Sequence, residues 1–416
     1  MKVLWITNIL FPEAAAVLTG NKELKSSGGW MLGAAKGLLE QGEVDLYVAT
    51  VSSQVKTLTM LKGSNITYYL IPFGKGNLRI NKEYNRYWQK INSEVNPDIV
   101  HIHGTEYSHG YAYMQACDCD NVVVSIQGLK SAICDYYHYG ITKPEIYKTI
   151  TLRDLLRGSI LHDQLSFKRS AEYEIEMLKS AKHIIGRTSW DKERTWAINP
   201  NAKYHFCNET LREEFYDGPV WDYKKCNKHT IFLSQAGYPI KGLHQVLRAM
   251  PLILRHYPDA VIRVAGSDIT RTERIRDYMH YTGYGKFINK LINKLNLRGK
   301  VIFTGNLNAA EMKSEYLSAN VFICPSSIEN SPNSLGEAQI LGVPCIASYA
   351  GGIPDMMIGC EQNLYRFEEV AMLAYKVCEV FEREDKQHNM ISTALKRHNQ
   401  KANSERLLTI YNEIMG

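Results

Sequence analysis

The stretch that decides the fold is NVFICPSSIENSPNSLGEAQILGVPCIASY, residues 320–349. It opens with the apolar run NVFICP, passes through polar and small residues, and closes with the run PCIASY. Short, nearly continuous apolar runs are typical of strands that a parallel sheet buries on both faces. The stretch therefore predicts a strand–helix–strand unit, with a polar loop at the carboxyl end of the first strand.

The same alternation runs along the whole chain. In the first half the apolar runs are KVLWIT (2–7), VDLYVAT (44–50), ITYYLIPF (66–73), DIVHIH (98–103), NVVVSI (121–126) and HIIGRT (183–188). The second half adds TIFLSQ (230–235), AVIRVAG (260–266) and KVIFTG (300–305). The pattern predicts two doubly wound α/β domains facing a central cleft, where ligands bind at the carboxyl ends of the strands.

The domain boundary is predicted near YDGPVWDYKKCNKH (216–229), where Gly, Pro and charged residues interrupt the pattern. We expect a first domain at 1–218, with a helical insertion at about 131–180, and a second domain at 219–395. A helix at 396–416 would end the chain. The insertion is rich in Tyr, Lys and Arg, which suits a glycan, a lipid surface or simply solvent.

Composition bounds the class of protein. The 416 residues are 45% apolar and 22% charged, as in ordinary globular proteins, and the formal net charge of +6 is too weak to indicate nucleic acid. Nine scattered cysteines without a C-x-x-C pair predict reduced core thiols in a cytosolic protein. A zinc site at Cys117, Cys119 and Cys134 would lack the usual spacing. We expect neither a signal peptide nor a membrane span.

Candidate chemistry in the second domain centres on two glutamates eight positions apart, Glu329 and Glu337. Ser331 followed by Pro332 predicts a helix N-terminus between them, where free N–H groups favour a phosphate. Alternatively, Glu337 only caps the helix, in a capping box with Ser334. In QAGYPIKGL (235–243), Lys241 follows a strand at the same edge of the sheet and suits a diphosphate, although such a lysine is often plain surface.

Candidates in the first domain follow its strands or open a helix. They are Gly28 and Gly29 in KSSGGWML, His103 and Glu106 in HIHGTE, Gln127 in SIQGLK, and Arg187 at the end of HIIGRT. The plain alternatives are a turn for the glycines and a half-buried histidine for His103. His101 and His103 share a strand face, but no nearby carboxylate pair completes a metal motif.

Several of these stretches together resemble the retaining glycosyltransferases of family 4, which have the GT-B fold. They are SSGGW, PDIVHIHG, YPIKGLHQVLRAM, the run from VIFTGN to GGIPDMM (301–357) and ERLLTIYNEIM. The resemblance covers nearly the whole chain and is strongest over 299–357. It also implies that the last helix crosses back onto the first domain.

The resemblance implies a role for each candidate. Glu337 would accept hydrogen bonds from the ribose, Glu329 would face the donor sugar, and Lys241 would bind the diphosphate. The backbone from Ser331 to Leu335, with Asn333 and Ser334, would hold the diphosphate, and Gly28 and Gly29 would pack close to it. Gln127 would hydrogen-bond the donor sugar, and His103 and Glu106 would lie on the acceptor side.

Two positions depart from the family pattern. Ala236 stands where the family has an arginine five residues before the lysine, and we expect Arg187 to supply that charge. Gln127 stands where the family often has a histidine, and glutamine cannot act as a base. SIQG together with NETLREEFY (208–216) resembles a subgroup found in surface-polysaccharide assembly.

The implied reaction moves a sugar from a nucleotide diphosphate sugar to a hydroxyl of a glycan or lipid-linked acceptor, with retention of configuration. The sequence has no Asp-rich metal motif, so we expect neither a metal nor another cofactor. The protein would work in the cytoplasm, with contact to the inner face of the membrane as a further expectation. The alternatives are a nucleotide-sugar epimerase and a catalytically silent subunit that binds a partner or glycan.

Overall fold

The structure, a computed structural model, describes residues 1–20, 29–73, 82–384 and 388–416. Its strands are β1 (Lys2–Thr7), β2 (Asp45–Ser52), β3 (Thr59–Lys62), β4 (Ile66–Pro72), β5 (Ile99–His103), β6 (Val122–Ser125), β7 (His183–Gly186), β8 (Lys203–Phe206), β9 (Thr230–Leu233), β10 (Val261–Val264), β11 (Val301–Phe303), β12 (Val321–Cys324), β13 (Cys345–Ser348) and β14 (Leu364–Tyr365). β3, β8 and β14 are additions to the strands that the apolar runs predict.

Helices connect the strands. They are α1 (Pro12–Thr19), α2 (Gly29–Leu39), α3 (Lys82–Val95), α4 (Ser108–Ala116), α5 (Lys130–Tyr136), α6 (Lys143–Tyr147), α7 (Leu152–Arg157), α8 (Ile160–Ser180), α9 (Ser189–Ile198), α10 (Leu243–His256), α11 (Ile275–His280), α12 (Gly283–Lys294), α13 (Ala309–Ser318), α14 (Asn333–Ile340), α15 (Ile353–Met356), α16 (Val370–Glu382), α17 (His388–Arg397) and α18 (Gln400–Met415). Within the described ranges, no helix has the length and apolar character needed to cross a bilayer. Those ranges also contain no group of three or more His, Cys, Asp or Glu placed to hold a metal ion.

The chain divides into two compact units, each with its own sheet. The first comprises Met1–Ser131, Lys168–Leu211 and His398–Gly416, and the second comprises Ala132–Phe167 and Arg212–Arg397. The grouping differs from the predicted domains, because residues 132–167 belong to the second unit and not to an insertion in the first.

Side chains of the second unit explain this grouping, because they hold backbone carbonyls of the 132–167 segment. Arg248 donates to the Gly140 carbonyl oxygen at 2.8 Å. Lys286 donates to the Ile150 carbonyl oxygen at 3.0 Å. Contacts of this kind join residues more than a hundred positions apart, so the local sequence pattern does not show them.

The sheet of the first unit has the order β3-β4-β2-β1-β5-β6-β7-β8. Neighbouring strands are parallel except for β3, an edge strand that pairs antiparallel with β4. The C-terminal helix α18 lies in the core of this unit, where Tyr411 is fully buried. The Tyr411 hydroxyl accepts a hydrogen bond from Trp5 Nε1 at 2.9 Å and lies 2.6 Å from His101 Nδ1.

The sheet of the second unit has the order β11-β10-β9-β12-β13-β14, and all its neighbouring strands are parallel. Counted from β9, this is the 3-2-1-4-5-6 order of a Rossmann-like sheet. The strand order reverses between β9 and β12, and the loops after these two strands therefore flank the crevice where such sheets bind ligands. The prediction of two doubly wound α/β sheets is confirmed.

Candidate functional site

The loops that follow β9 and β12 pack directly on each other. Gly242 ends the 3-10 turn Pro239–Lys241 with φ +70°, and a Cβ there would lie 1.8 Å from the Pro325 carbonyl oxygen. Only glycine allows both this left-handed backbone and this close approach. The Ser327 amide also donates to the Ile240 carbonyl oxygen at 2.8 Å. These contacts fix Lys241 beside the loop that carries Glu329.

Lys241 and Glu329 form an ion pair at this position, and both side chains are largely shielded from solvent. The Ser326 hydroxyl donates to Glu329 Oε1 at 3.0 Å. Burial opposes the charge of the lysine, but the Glu329 carboxylate more than offsets it and raises the pKa of Lys241. Lys241 is therefore a permanent cation in a small cavity of about 10 Å³ that Gln235 and Ser334 also line.

Helix α14 begins differently from the sequence prediction. Pro332 occupies the N-cap position, and no side chain caps the helix. Ser331, the predicted N-cap, instead has its hydroxyl 3.6 Å from Met356 Sδ. The capping box of Ser334 and Glu337 is absent because the helix already begins at Asn333. Glu337 is thus available for a different role.

Glu337 forms a bidentate ion pair with Arg212. Arg212 Nε lies 2.7 Å from Glu337 Oε1, and its Nη2 lies 2.8 Å from Oε2. Burial raises the pKa of Glu337, although Arg212 opposes this shift. The guanidinium of Arg212 also lies over the Phe215 ring, 4.6 Å from its centroid. This arrangement holds the carboxylate in one orientation.

Sequence reasoning missed Arg212 as a site residue. It lies in NETLREEFY, between a threonine–leucine pair and two further glutamates, with no local pattern that indicates a partner. The partner is 125 positions away in the chain. Only a long-range contact identifies it.

The start of α14 provides the remaining predicted donor-side residues. The Leu335 amide already donates to the Pro332 carbonyl oxygen at 3.0 Å, and the Leu335 side chain is buried. The Ser334 carbonyl oxygen accepts from the Tyr316 hydroxyl at 2.9 Å. Asn333 Oδ1 is buried, and the described residues offer it no hydrogen-bond partner. Asn333 therefore has a side-chain acceptor with bonding capacity to spare.

Gly351, in the loop after β13, supports the backbone of Glu329. Its φ is +56°, and a Cβ there would lie 1.9 Å from the Glu329 carbonyl oxygen. The next residue, Gly352, donates its amide to the same oxygen at 2.9 Å. The loop after β13 therefore fixes the backbone position of Glu329.

We expect Gly351→Ala to destabilise the protein and to lower activity, because the new methyl group must displace the backbone of Glu329. Gly299→Ala is the matched control, since Gly299 also has positive φ (+77°) but nothing within 4 Å of its Cβ position. The free energy of unfolding of the control should fall by about 1 kcal/mol, because of the left-handed backbone alone. That of Gly351→Ala should fall clearly further. Urea denaturation measures both, and equal losses would contradict the close approach.

In the first unit, His103 ends β5 among other rings. Its ring stacks on His101 with centroids 3.8 Å apart and lies 4.3 Å from the Trp5 ring. His103 Nε2 is buried, and no described residue bonds to it. Burial holds the pKa of His103 well below its usual range, so the ring is neutral. His103 is therefore more deeply buried than the half-buried histidine of the plain alternative, and its place on the acceptor side stays a prediction.

Glu106 follows in the same loop and has an unusual environment. Its Oε1 accepts from the Gly128 amide at 2.9 Å, whereas Oε2 is buried without a partner among the described residues. Burial raises the pKa of Glu106 to about 7, and the nearby Glu174 carboxylate adds to the shift. Lys130 donates a hydrogen bond to the Glu106 carbonyl oxygen, and its positive charge partly offsets the rise in the pKa of Glu106.

The raised pKa predicts a pH dependence of stability. Between pH 4.5 and 7 the folded chain retains a proton that the unfolded chain has released. The contribution of Glu106 is thus fully present below pH 4.5 and is lost as the pH rises to 7. We expect the free energy of unfolding of Glu106→Gln to rise by up to about 3 kcal/mol relative to that of wild type as the pH increases over that range. Urea denaturation across pH tests this, with exposed Glu172→Gln as control, and parallel curves for Glu106→Gln and wild type would contradict it.

The other first-unit candidates are placed as follows. Arg187 is buried, ion-pairs with Glu209 at 2.6 Å and donates to the Ile126 carbonyl oxygen at 2.6 Å. Its guanidinium therefore already has an acidic partner. That Arg187 supplies the charge of the arginine that is absent at Ala236 stays a prediction. The side chain of Gln127 lies beside Gly104, with its Cδ 3.5 Å from the position that a Cβ on this glycine would occupy. Gly28 lies outside the described residues, and Gly29 begins α2.

Residues 223–397 match the family model described as Glycosyl transferases group 1. The matched range lies within the second unit. Lys241, Glu329 and Glu337 lie within the range that matches this family model.

Relatives and solved structures extend the comparison. An uncharacterized glycosyltransferase of Methanocaldococcus jannaschii is 32% identical over 130 residues, 31% of this chain and 29% of that protein. The match thus spans less than a third of the relative's length. Sucrose-phosphate synthase from Thermosynechococcus elongatus aligns with a TM-score of 0.69 at 16% identity, covering 100% of this chain and 99% of that one.

A second solved structure is described as trehalose-6-phosphate from E. coli bound with UDP-2-fluoro glucose. It aligns with a TM-score of 0.63 at 11% identity and covers 99% of each chain. At such identities the likeness establishes the fold alone. The fold is GT-B, with two Rossmann-like α/β units.

Proposed function

We propose that this chain is a retaining glycosyltransferase that moves a sugar from a nucleotide diphosphate sugar to a hydroxyl of a glycan or lipid-linked acceptor. The observation that carries the proposal is the Lys241–Glu329 pair, which lies where the strand order reverses in a group 1 domain. An anionic donor would bind in this crevice, next to a lysine that stays protonated.

The chemistry assigned to Lys241 follows from the leaving group. Departure of the nucleotide diphosphate develops negative charge while the sugar carbon becomes cation-like. A fixed cation and the N-terminus of α14 are suited to stabilise that charge. Glu329 orients Lys241 through the ion pair, and its other bonding capacity would serve the hydroxyls of the donor sugar.

Retention of configuration is part of the proposal, supported by the family 4 resemblance. Attack from the same face as the departing diphosphate leaves little room for an enzymic nucleophile. The two glutamates therefore do not act as the carboxylate pair of a glycosidase. Glu337 is paired with Arg212, and Glu329 with Lys241, so each carboxylate already has a separate cation.

Glu337 is assigned to the ribose of the nucleotide. A carboxylate has about four acceptor positions, and the bidentate Arg212 contact uses two of them. The acceptor capacity that remains on the carboxylate would serve the ribose hydroxyls. Arg212 is thus a positioning residue for Glu337, in a chain that has Ala236 where family members carry an arginine.

The acceptor is assigned to the first unit, where His103, Glu106 and Gln127 lie near the ends of β5 and β6. A role in cell-surface polysaccharide synthesis rests on the resemblance of SIQG and NETLREEFY to that subgroup.

The proposal includes no metal or other cofactor, because the sequence has no Asp-rich metal motif. Activity should therefore persist in excess EDTA.

A panel of UDP-, GDP- and ADP-sugars with candidate glycan acceptors tests the proposal. One donor should be turned over, and NMR of the product should show the anomeric configuration of the donor. An inverted product would refute retention. Conversion of the nucleotide sugar without an acceptor would indicate an epimerase, and no turnover of any donor would favour a silent binding subunit.

A further inference from the structure

The short helix α7 exposes three leucines on one face. Leu152, Leu155 and Leu156 have 80%, 73% and 85% of their surface exposed, and their i, i+3, i+4 spacing places them side by side. Thr151 and Asp154 form a capping box at the start of this helix, and Asp154 is buried. The three leucines therefore face solvent from a helix whose start is anchored to the protein.

Helix α11 extends this apolar surface. It contacts α7, and the Thr151 hydroxyl donates to the Tyr281 carbonyl oxygen at 2.8 Å just after α11 ends. Tyr278 and Met279 on α11 are 62% and 60% exposed. We call these five side chains the α7–α11 patch: Leu152, Leu155, Leu156, Tyr278 and Met279. Exposed apolar side chains clustered on two adjacent helices often mark an interaction site.

Basic residues predominate in the chain segment that carries α7. The segment 143–157 contains four Lys or Arg and two acidic residues, and both acidic residues serve in the capping boxes of α6 and α7. Lys148 and Arg157 are exposed. From α12, Lys286 and Lys290 hold the carbonyl oxygens of Ile150 and Lys148, each at 3.0 Å. The leucines thus project from a locally cationic support.

Exposed leucines within a cationic surround match an anionic lipid surface better than other partners. Leucine gains most from entering acyl chains, and Lys and Arg gain from lipid phosphates at the same depth. A glycan would instead need hydrogen-bonding and aromatic side chains, and protein-binding hot spots are depleted in leucine. We propose that the α7–α11 patch docks the protein on a bilayer that contains anionic lipids.

This proposal deepens the proposed function, because it assigns the surface that would bring the group 1 domain to a lipid-linked acceptor. It is tested without turnover, so its failure is distinguishable from a failure of the glycosyltransferase assignment. The assay is co-sedimentation of the full chain with vesicles of phosphatidylcholine alone and of phosphatidylcholine with about one third phosphatidylglycerol.

We expect binding to the anionic vesicles and at least tenfold weaker binding by the triple variant Leu152→Ser, Leu155→Ser, Leu156→Ser. The variant should fold, because all three side chains are exposed. The control triple Ile358→Ser, Met372→Ser, Tyr375→Ser removes exposed apolar side chains elsewhere in the same unit and should bind like wild type. Lys148→Glu with Arg157→Glu should weaken binding and reduce its dependence on salt.

Three results would overturn the proposal. The first is wild-type binding to anionic vesicles that is absent or that the leucine triple leaves unchanged. The second is a wild-type dimer in light scattering that the same triple converts to a monomer, which would assign the α7–α11 patch to a second copy of the chain. The third is an equal loss of binding in both triple variants, which would refute a specific patch.

Discussion

Lys241→Gln is expected to lower kcat/KM for the nucleotide-sugar donor by about 10²- to 10³-fold, the usual loss when one group that stabilises the leaving charge is removed. The amide of glutamine can still donate a hydrogen bond to Glu329, so the fold should survive. What is lost is the positive charge beside the departing diphosphate. Steady-state kinetics with the donor found in the panel measures the effect.

The control for this prediction is Lys300→Gln. Lys300 is a lysine of the same unit that donates to the Pro258 carbonyl oxygen at 2.6 Å, at an exposed position away from the β9–β12 crevice. It should keep wild-type kinetics. If Lys241→Gln retained wild-type kcat/KM while remaining folded, the assignment of the diphosphate to this lysine would be wrong.

Arg212→Ala is expected to destabilise the second unit by about 3–5 kcal/mol, because it leaves the buried Glu337 carboxylate without its cation. The side chain of Arg212 is 28% exposed and that of Glu337 only 5%. Where the variant folds, KM for the donor should rise more than kcat falls, since Glu337 would no longer be held for the ribose. Urea denaturation and donor kinetics provide the two readouts.

Arg263→Ala is a matched control for this variant. Arg263 forms a similar bidentate pair with Glu315, with N–O distances of 2.7 and 2.6 Å, but Glu315 is more exposed than Glu337. We expect a smaller loss of stability and unchanged donor KM. The double variant Arg212→Ala, Glu337→Gln should recover part of the stability but not the KM. If both arginine variants changed KM for the donor equally, the assignment of Arg212 to the donor site would be wrong.

The fold was largely predictable because buried parallel strands read as short apolar runs. KVLWIT became β1 without a change of bounds, and TIFLSQ and NVFICP became the two strands that flank the crevice. The edge strand β3, TMLK, was missed because it is short and only half buried, so its pattern is not continuous. The assignment of 132–167 to the first domain differed because that segment is held by long-range contacts from Arg248, Lys286 and Ser327.

The placement of the candidate residues was also only partly predictable. The positions of Lys241 and Glu329 in the loops after two strands could be predicted, because the apolar runs mark those strands. The pairing of Glu337 with Arg212 could not be predicted, because the local Ser334-x-x-Glu337 pattern indicates a capping box, whereas the helix begins at Asn333 and leaves Glu337 to a distant cation. Sequence spacing places residues on elements, and tertiary packing decides their partners.

Calorimetric titration of the wild-type chain with UDP, GDP and ADP and their sugars tests the central claim most directly. The account predicts that one nucleotide series binds, that Lys241→Gln weakens the diphosphates at least tenfold, and that Lys300→Gln does not. Binding of a nucleotide diphosphate with the same affinity in wild type and Lys241→Gln, or no binding by any nucleotide, would contradict it.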